Sequence, residues 1–220
     1  MHGELAHAGV HCGRKRVARL MRRSGLVGAH ARRKWRKGRP GEASAPDLVN
    51  RDFDPSGPDQ VWAADVTQFR TGEGWLYLAA VLDLWSRRVL GWSMGTSASA
   101  ELVTDALVMA ATRRRPHHRV VHHSDKGAAY TSLLFSQRVA ELELDQSFGT
   151  TGDCYDNAAV ESFFATLKRE LAWIHRTERW AARRGLRSAL FDYIEAFYNP
   201  KRSQERLGYR SPIDYEEEVA

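Results

Sequence analysis

Residues 60–84 read QVWAADVTQFRTGEGWLYLAAVLDL, and this stretch decides the fold class. Gln60 to Arg70 and Trp75 to Leu84 are apolar runs of strand length. Thr71-Gly72-Glu73-Gly74 joins them, so the pair reads as a β-hairpin. Residues 87–94 (RRVLGWSM) add a third antiparallel strand. Ala98 to Thr112 then predicts a helix with Leu102, Ala106 and Met109 on one face. A fourth strand is expected over 119–123 (RVVHH), a helix over 131–142, a strand over 144–148 and a long helix over 157–174. Three strands, helix, strand, helix, strand, helix packs most economically as an α/β domain: a mixed five-stranded sheet flanked by helices.

Outside this region the charge is uneven. Residues 1–41 hold twelve Lys or Arg and one acid, Glu4, for a charge of +11, against +6 for the whole chain. All of the positive excess therefore precedes the folded core, as in a nucleic-acid contact or a solvated arm. Within it, residues 13–24 predict a short helix. Val17, Leu20 and Met21 form an apolar stripe, Arg14, Lys15, Arg16, Arg19, Arg22 and Arg23 cover the rest, and Gly25 ends it. A helical segment at Glu4 to Ala8 with Gly9 in the turn makes the pair resemble a helix-turn-helix, its basic members being candidate DNA contacts. Residues 28–58 have linker composition, with Trp35 among cations. No run approaches eighteen apolar residues, so no membrane span is expected. Cys12 and Cys154 are too far apart for a C-x-x-C pair, which suits free thiols and a cytoplasmic setting.

Three acids stand out. Asp65 lies mid-strand, where a carboxylate must be hydrogen-bonded, paired or metal-bound. Asp125 follows the fourth strand, at the kind of strand end that displays reactive groups. Glu161 shares a helix face with Asn157, Ala165 and Lys168, while Val160, Phe164, Leu167 and Leu171 form an apolar face that can pack on the sheet. Since about one residue in eight is acidic, spacing alone proves little. The surrounding wording is more specific: QVWAADVTQF at 60–69, HSDKGAAYTS at 123–132, GDCYDNAAVESFFATLKREL at 152–171 and YNPKRSQERLGYRSP at 198–212.

In these stretches the chain resembles the integrase-core transposases of bacterial insertion sequences, relatives of retroviral integrases with an RNase H-like fold. The thirty-five residues between Asp125 and Glu161 also match that family. The resemblance implies that Asp65, Asp125 and Glu161 bind metal and catalyse nicking and strand transfer of insertion-sequence ends. Hard carboxylate oxygens suit Mg²⁺ or Mn²⁺. Two such ions about 4 Å apart activate the attacking oxygen and stabilise the leaving one. DNA is the expected partner, bound by a homo-oligomer, with an upstream helix-turn-helix reading-frame product as a further candidate. A nucleoid-associated location follows.

Other candidates have simpler readings. Lys126, Lys168 and Arg169 are candidate phosphate contacts. His117, His118, His122 and His123 invite a zinc site, but adjacent strand residues point to opposite faces. Asp83 reads as structural, paired with a nearby Arg, and Asp156 as a helix N-cap. Trp173, Trp180, Phe191, Tyr193, Phe197 and Tyr198 read as core. The expected organisation is a basic helix-turn-helix-like fragment at 1–41, a linker at 42–57, the catalytic core at 58–175, and a C-terminal helix and tail at 176–220. Relatives carry a longer basic N-terminal region, so a shortened copy is expected. They also carry His where this chain has Gln204. These departures keep an inactive DNA-binding remnant, or a competitor of a full-length transposase, as the alternative, beside a nuclease that only hydrolyses.

Overall fold

The computed structural model describes residues 1–28, 55–149, 158–176 and 179–219. Linker residues 42–54, Trp35, Asp153, Cys154, Asp156 and Asn157 lie outside the described residues. Strands β1 (Val61–Thr71) and β2 (Gly74–Asp83) pair antiparallel from Trp62↔Asp83 to Thr71↔Gly74. Gly72 and Glu73 make the turn, and Gly74 takes φ +104°, a conformation that favours glycine. Strand β3 (Val89–Gly95) runs antiparallel to β2, whereas β4 (Val121–Ser124) lies parallel to β1 and β5 (Asp145–Phe148) parallel to β4. The order β3-β2-β1-β4-β5 makes the expected mixed sheet.

Both faces of that sheet are covered, which is why β1 and β2 read as nearly continuous apolar runs rather than alternating ones. On one face Trp62, Ala64, Ala79 and Val81 meet Leu107 of α3 (Ala100–Arg114) and Phe135 of α4 (Leu133–Glu141). On the other, Ala63, Leu78, Ala80 and Leu82 meet Val160, Phe164 and Leu167 of α5 (Ala158–His175) and Leu186 of α6 (Arg183–Phe191). Each fully buried Leu or Phe here contributes about 1.5–3 kcal/mol. Helices α3 and α4 begin at Ser99 and Ser132, whose hydroxyls accept the N–H groups of Leu102 and Phe135. Gly91 lets α3 lie close to β3, since a Cβ there would sit 2.1 Å from the Ala106 carbonyl oxygen.

Several expectations need correction. The apolar face of α3 is Leu102, Val103, Ala106, Leu107 and Ala110; Met109 sits at its margin, with Sδ accepting the Trp92 N–H at 3.4 Å. Strand β4 starts at Val121, because Arg119 is exposed and ion-paired with Asp145. Asp83 is buried, but its hydrogen bonds come from the Ser86 N–H and hydroxyl (both 2.8 Å) and the Asp59 N–H (3.0 Å), not from an arginine. The nearby guanidinium of Arg114 is engaged by Asp59 and Glu216 instead. The aromatic stripe divides: Tyr193 and Tyr198 are buried, while Trp173 is 55% and Phe191 49% exposed.

The C-terminal region is also richer than one helix and a tail. After α6 come a π-helical stretch (Asp192–Tyr198), α7 (Asn199–Lys201), a 3₁₀ turn (Glu205–Leu207) and α8 (Pro212–Val219). Asn199 closes the edge of β3, accepting the Val89 N–H at 3.0 Å and donating to its carbonyl at 2.9 Å. At the N-terminus, α1 (His2–His7) and α2 (Arg14–Arg23) flank a turn in which Gly9 has φ +78°. Helix α1 packs on the C-terminal segment, with Gly3 directly against the Tyr209 hydroxyl.

Candidate active site

The parallel pairing of β1 with β4 sets Ala63 beside His123. Two residues further along each chain stand Asp65 and Asp125, so the sheet register alone carries the two aspartates to neighbouring positions. Asp65 also shares strand parity with Ala63, which packs in the core beneath α5. Glu161 is in the first turn of α5, exposed, while Val160, Phe164 and Leu167 fix the helix to the sheet. The apolar face of α5 therefore determines where Glu161 stands.

Asp65 registers the charges of both other acids. Burial pushes the Asp65 carboxyl up to about 7. The Val66 N–H, 2.7 Å from Oδ1, opposes the rise; the negative charges of Asp125 and Glu161 add to it, and Lys168 opposes it. Asp65 thus feels both other carboxylates. Asp125 is exposed, and its Oδ1 accepts the Gly127 N–H at 3.0 Å. A Cβ at Gly127 would lie 2.9 Å from that oxygen, so glycine keeps the turn open. Among the described residues, no three His, Cys, Asp or Glu side chains draw together into a metal-binding cluster. Asp65 and Asp125 each accept a backbone N–H, from Val66 and Gly127 respectively.

The flanking cations fall into two groups. Lys168 places Nζ 5.2 Å over the Phe69 ring, and partial burial holds its pKa below the usual lysine range against the pull of Asp65. Lys126 is half-buried beside Asp125, and Arg169 reaches Thr166 Oγ1 at 3.3 Å. The basic residues of α2 (Arg14, Lys15, Arg16, Arg19, Arg22 and Arg23) are all exposed, in a separate element. The histidines disperse. His122 is buried against Tyr130 and Phe135, and burial depresses its pKa to about 3. His123 sets Nδ1 3.0 Å from Ser147 Oγ, and His117 and His118 are exposed.

Sequence reasoning missed two features around these residues. Glu170 accepts Arg202 through both carboxylate oxygens (2.7 and 2.9 Å) and the Tyr193 hydroxyl at 2.7 Å, tying α5 to the C-terminal segment. The arginine and tyrosine lie far along the chain, and nothing local announces the network. Tyr130, inside the quoted HSDKGAAYTS stretch, is the second; the charges of Asp65 and Asp125 both act on its buried hydroxyl. Gln204 lines a cleft of about 460 Å³ beside Ser162 and Thr166 of α5.

The integrase core domain family matches residues 55–154, and a second integrase core family matches 161–219. Transposase InsF for insertion sequence IS3A of Escherichia coli (strain K12) is 43% identical over 216 residues, covering 97% of this chain and 74% of that protein. The chain belongs to the integrase-core transposases of bacterial insertion sequences. A second relative, the transposase for insertion sequence element IS904 of Lactococcus lactis, is 37% identical, covering 96% of the transposase described here and 83% of that protein. An HTH-like domain family matches residues 1–34 of this transposase.

The fold likeness reaches further. A chain of the simian T-cell lymphotropic virus intasome superposes with a TM-score of 0.62 at 16% identity, covering 98% of this transposase and 74% of that chain. The HTLV-2 integrase catalytic core domain in complex with magnesium superposes with a TM-score of 0.56 at 16% identity, covering 73% and 98%. The transposase therefore has the RNase H-like fold of retroviral integrase cores.

Proposed function

We propose that this transposase nicks and joins insertion-sequence ends in a divalent-metal-dependent reaction, with Asp65, Asp125 and Glu161 as the metal ligands and catalytic residues. The observation that carries the reading is the state of Asp65: a carboxyl raised to about 7 by burial and by two further carboxylates. Such a group is uncomfortable alone and becomes stable beside added positive charge. The donor set is all carboxylate oxygen, which fits Mg²⁺ or Mn²⁺ and not a softer ion. A retroviral integrase core of the same fold is described in complex with magnesium. When bound, two such ions would supply Lewis acidity and charge neutralisation at the reacting phosphate.

The protein's own residues account for the remainder. In this reading the sheet register sets Asp65 and Asp125 at neighbouring positions, and Glu161, whose charge acts on Asp65, joins them from the first turn of α5. Lys126 stands next to Asp125 and Lys168 acts on Asp65; together with Arg169, further along α5, they contact phosphates of the bound strand. The attacking oxygen is water in nicking and a DNA 3′-hydroxyl in joining; one set of carboxylates serves both, because the displacement at phosphorus is the same. The exposed cations of α2 grip DNA at a distance from the chemistry. The functional organisation is a basic arm at 1–41, a linker at 42–57, the catalytic core at 58–175 and a C-terminal brace at 176–220. The protein acts in the cytoplasm at the nucleoid as a homo-oligomer on DNA, with an upstream helix-turn-helix product as a further partner. An in vitro strand-transfer assay with end-sequence DNA and Mn²⁺ tests the reading: joined product is expected, and nicking without joining would reduce the protein to a nuclease.

A further inference from the structure

Tyr130 lies on the connection from β4 to α4, five residues after Asp125, and is 3% exposed. Its ring meets Phe135 edge-on, with centroids 5.3 Å apart, and is tilted against His122 at 6.1 Å. Its carbonyl accepts Gln146 Nε2 at 2.9 Å. Backbone and ring are thus fixed, but the hydroxyl has no hydrogen-bond partner among the described residues. Neither nitrogen of the adjoining His122 bonds to it. A buried phenol O–H without an acceptor is destabilising, and such groups in native proteins call for an explanation. The two carboxylates whose charge reaches this hydroxyl are Asp65 and Asp125.

One oxygen of Asp65 accepts the Val66 N–H and one of Asp125 the Gly127 N–H. Each carboxylate has several lone pairs, so a cation that takes some of them leaves others needing donors. Donors behind metal-binding carboxylates orient those ligands, and losing one commonly weakens metal binding ten- to a hundredfold. We propose that Tyr130 is a positioning residue of the metal site: its hydroxyl donates a hydrogen bond to the Asp65–Asp125 pair, on an oxygen that the cation does not use. His122, Phe135 and Gln146 hold Tyr130 in place, so its hydroxyl is available as that donor. The inference rests on the metal-site reading above, extending it from the ligands to what holds them.

The test uses the full chain and Mn²⁺ alone, comparing wild type, Tyr130→Phe and Asp65→Asn. Calorimetric titration gives Mn²⁺ affinity, and melting in EDTA reports the metal-free fold. Tyr130→Phe should melt in EDTA at or above the wild-type temperature, since it deletes only an unpartnered hydroxyl. Its Mn²⁺ affinity should fall about tenfold. Strand transfer by Tyr130→Phe should then recover as Mn²⁺ is raised, which a defect in packing would not do. Wild-type Mn²⁺ affinity in Tyr130→Phe overturns the proposal, as does a variant that melts several degrees lower in EDTA or fails to fold. If Asp65→Asn loses Mn²⁺ while Tyr130→Phe does not, only the role of Tyr130 falls. If the wild type binds no Mn²⁺, the metal-site reading fails and Tyr130 falls with it.

Discussion

Replacing Asp65 with Asn should make the metal-free protein more stable, and only at higher pH. In the folded chain the Asp65 carboxyl titrates at about 7, against the ordinary 3.8. Between these values the folded state holds a proton that the unfolded state has released, so stability falls as pH rises from about 4 to about 7. A shift of roughly three pH units corresponds to about 4 kcal/mol at ~1.36 kcal/mol per unit. Local relaxation takes part of this, leaving an expected gain of roughly 2–4 kcal/mol for Asp65→Asn at pH 8. Asparagine can still accept the Val66 N–H and carries no charge toward Asp125 and Glu161. In a chain of this size that gain raises Tm by roughly 5–15 °C. Melting both proteins in EDTA at pH 5 and pH 8 tests it: near-equal temperatures at pH 5 and a clear lead for the variant at pH 8. Millimolar Mn²⁺ at pH 8 should reverse the order, because only the wild type gains. A variant that melts below wild type in EDTA at pH 8, or differs equally at both pH values, would refute the reasoning.

Other perturbations probe separate parts of the structure. Deleting residues 1–41 should weaken DNA binding and reduce the slope of log affinity against log salt by about 0.9 per lost phosphate contact. The core should stay folded in that deletion, because both hydrophobic clusters are built from Val61 onward; circular dichroism and filter binding check both points. Gly91→Ala drives a Cβ into the Ala106 carbonyl and should cost about 1–3 kcal/mol in urea unfolding. Arg202→Ala strands the half-buried Glu170 and loosens α5, so strand transfer should fall together with stability, by about 2–4 kcal/mol.

The sheet was legible because its signals are local. The hairpin needs only two apolar runs and the Thr71–Gly74 turn, and the two faces of α5 follow from helical spacing around Glu161. The partner of Asp83 was not legible, since its third donor is the backbone N–H of Asp59, twenty-four residues earlier. The division of the C-terminal aromatics was hidden for a related reason. The hydroxyls of Tyr193 and Tyr198 turn inward, to Glu170 of α5 and to the Arg87 carbonyl in the turn before β3, whereas Phe191 and Phe197 point outward from the same run. Composition gives all four the same weight, and only the packing separates them. At the candidate site, the residue wording singled out the three acids, but the buried hydroxyl of Tyr130 and the Glu170–Arg202–Tyr193 network arise from packing that a linear reading does not show.

The most direct test of the central claim is the strand-transfer rate of Glu161→Gln with end-sequence DNA and Mn²⁺. Gln keeps the size and polarity of Glu on an exposed position of α5, so unfolding stability should stay within about 0.5 kcal/mol of wild type. DNA affinity should hold or rise slightly, because a carboxylate beside phosphates has been removed. The rate of joining should fall at least a hundredfold, since charge stabilisation at the leaving oxygen is lost. A folded Glu161→Gln protein that binds DNA and joins it at the wild-type rate would contradict the account.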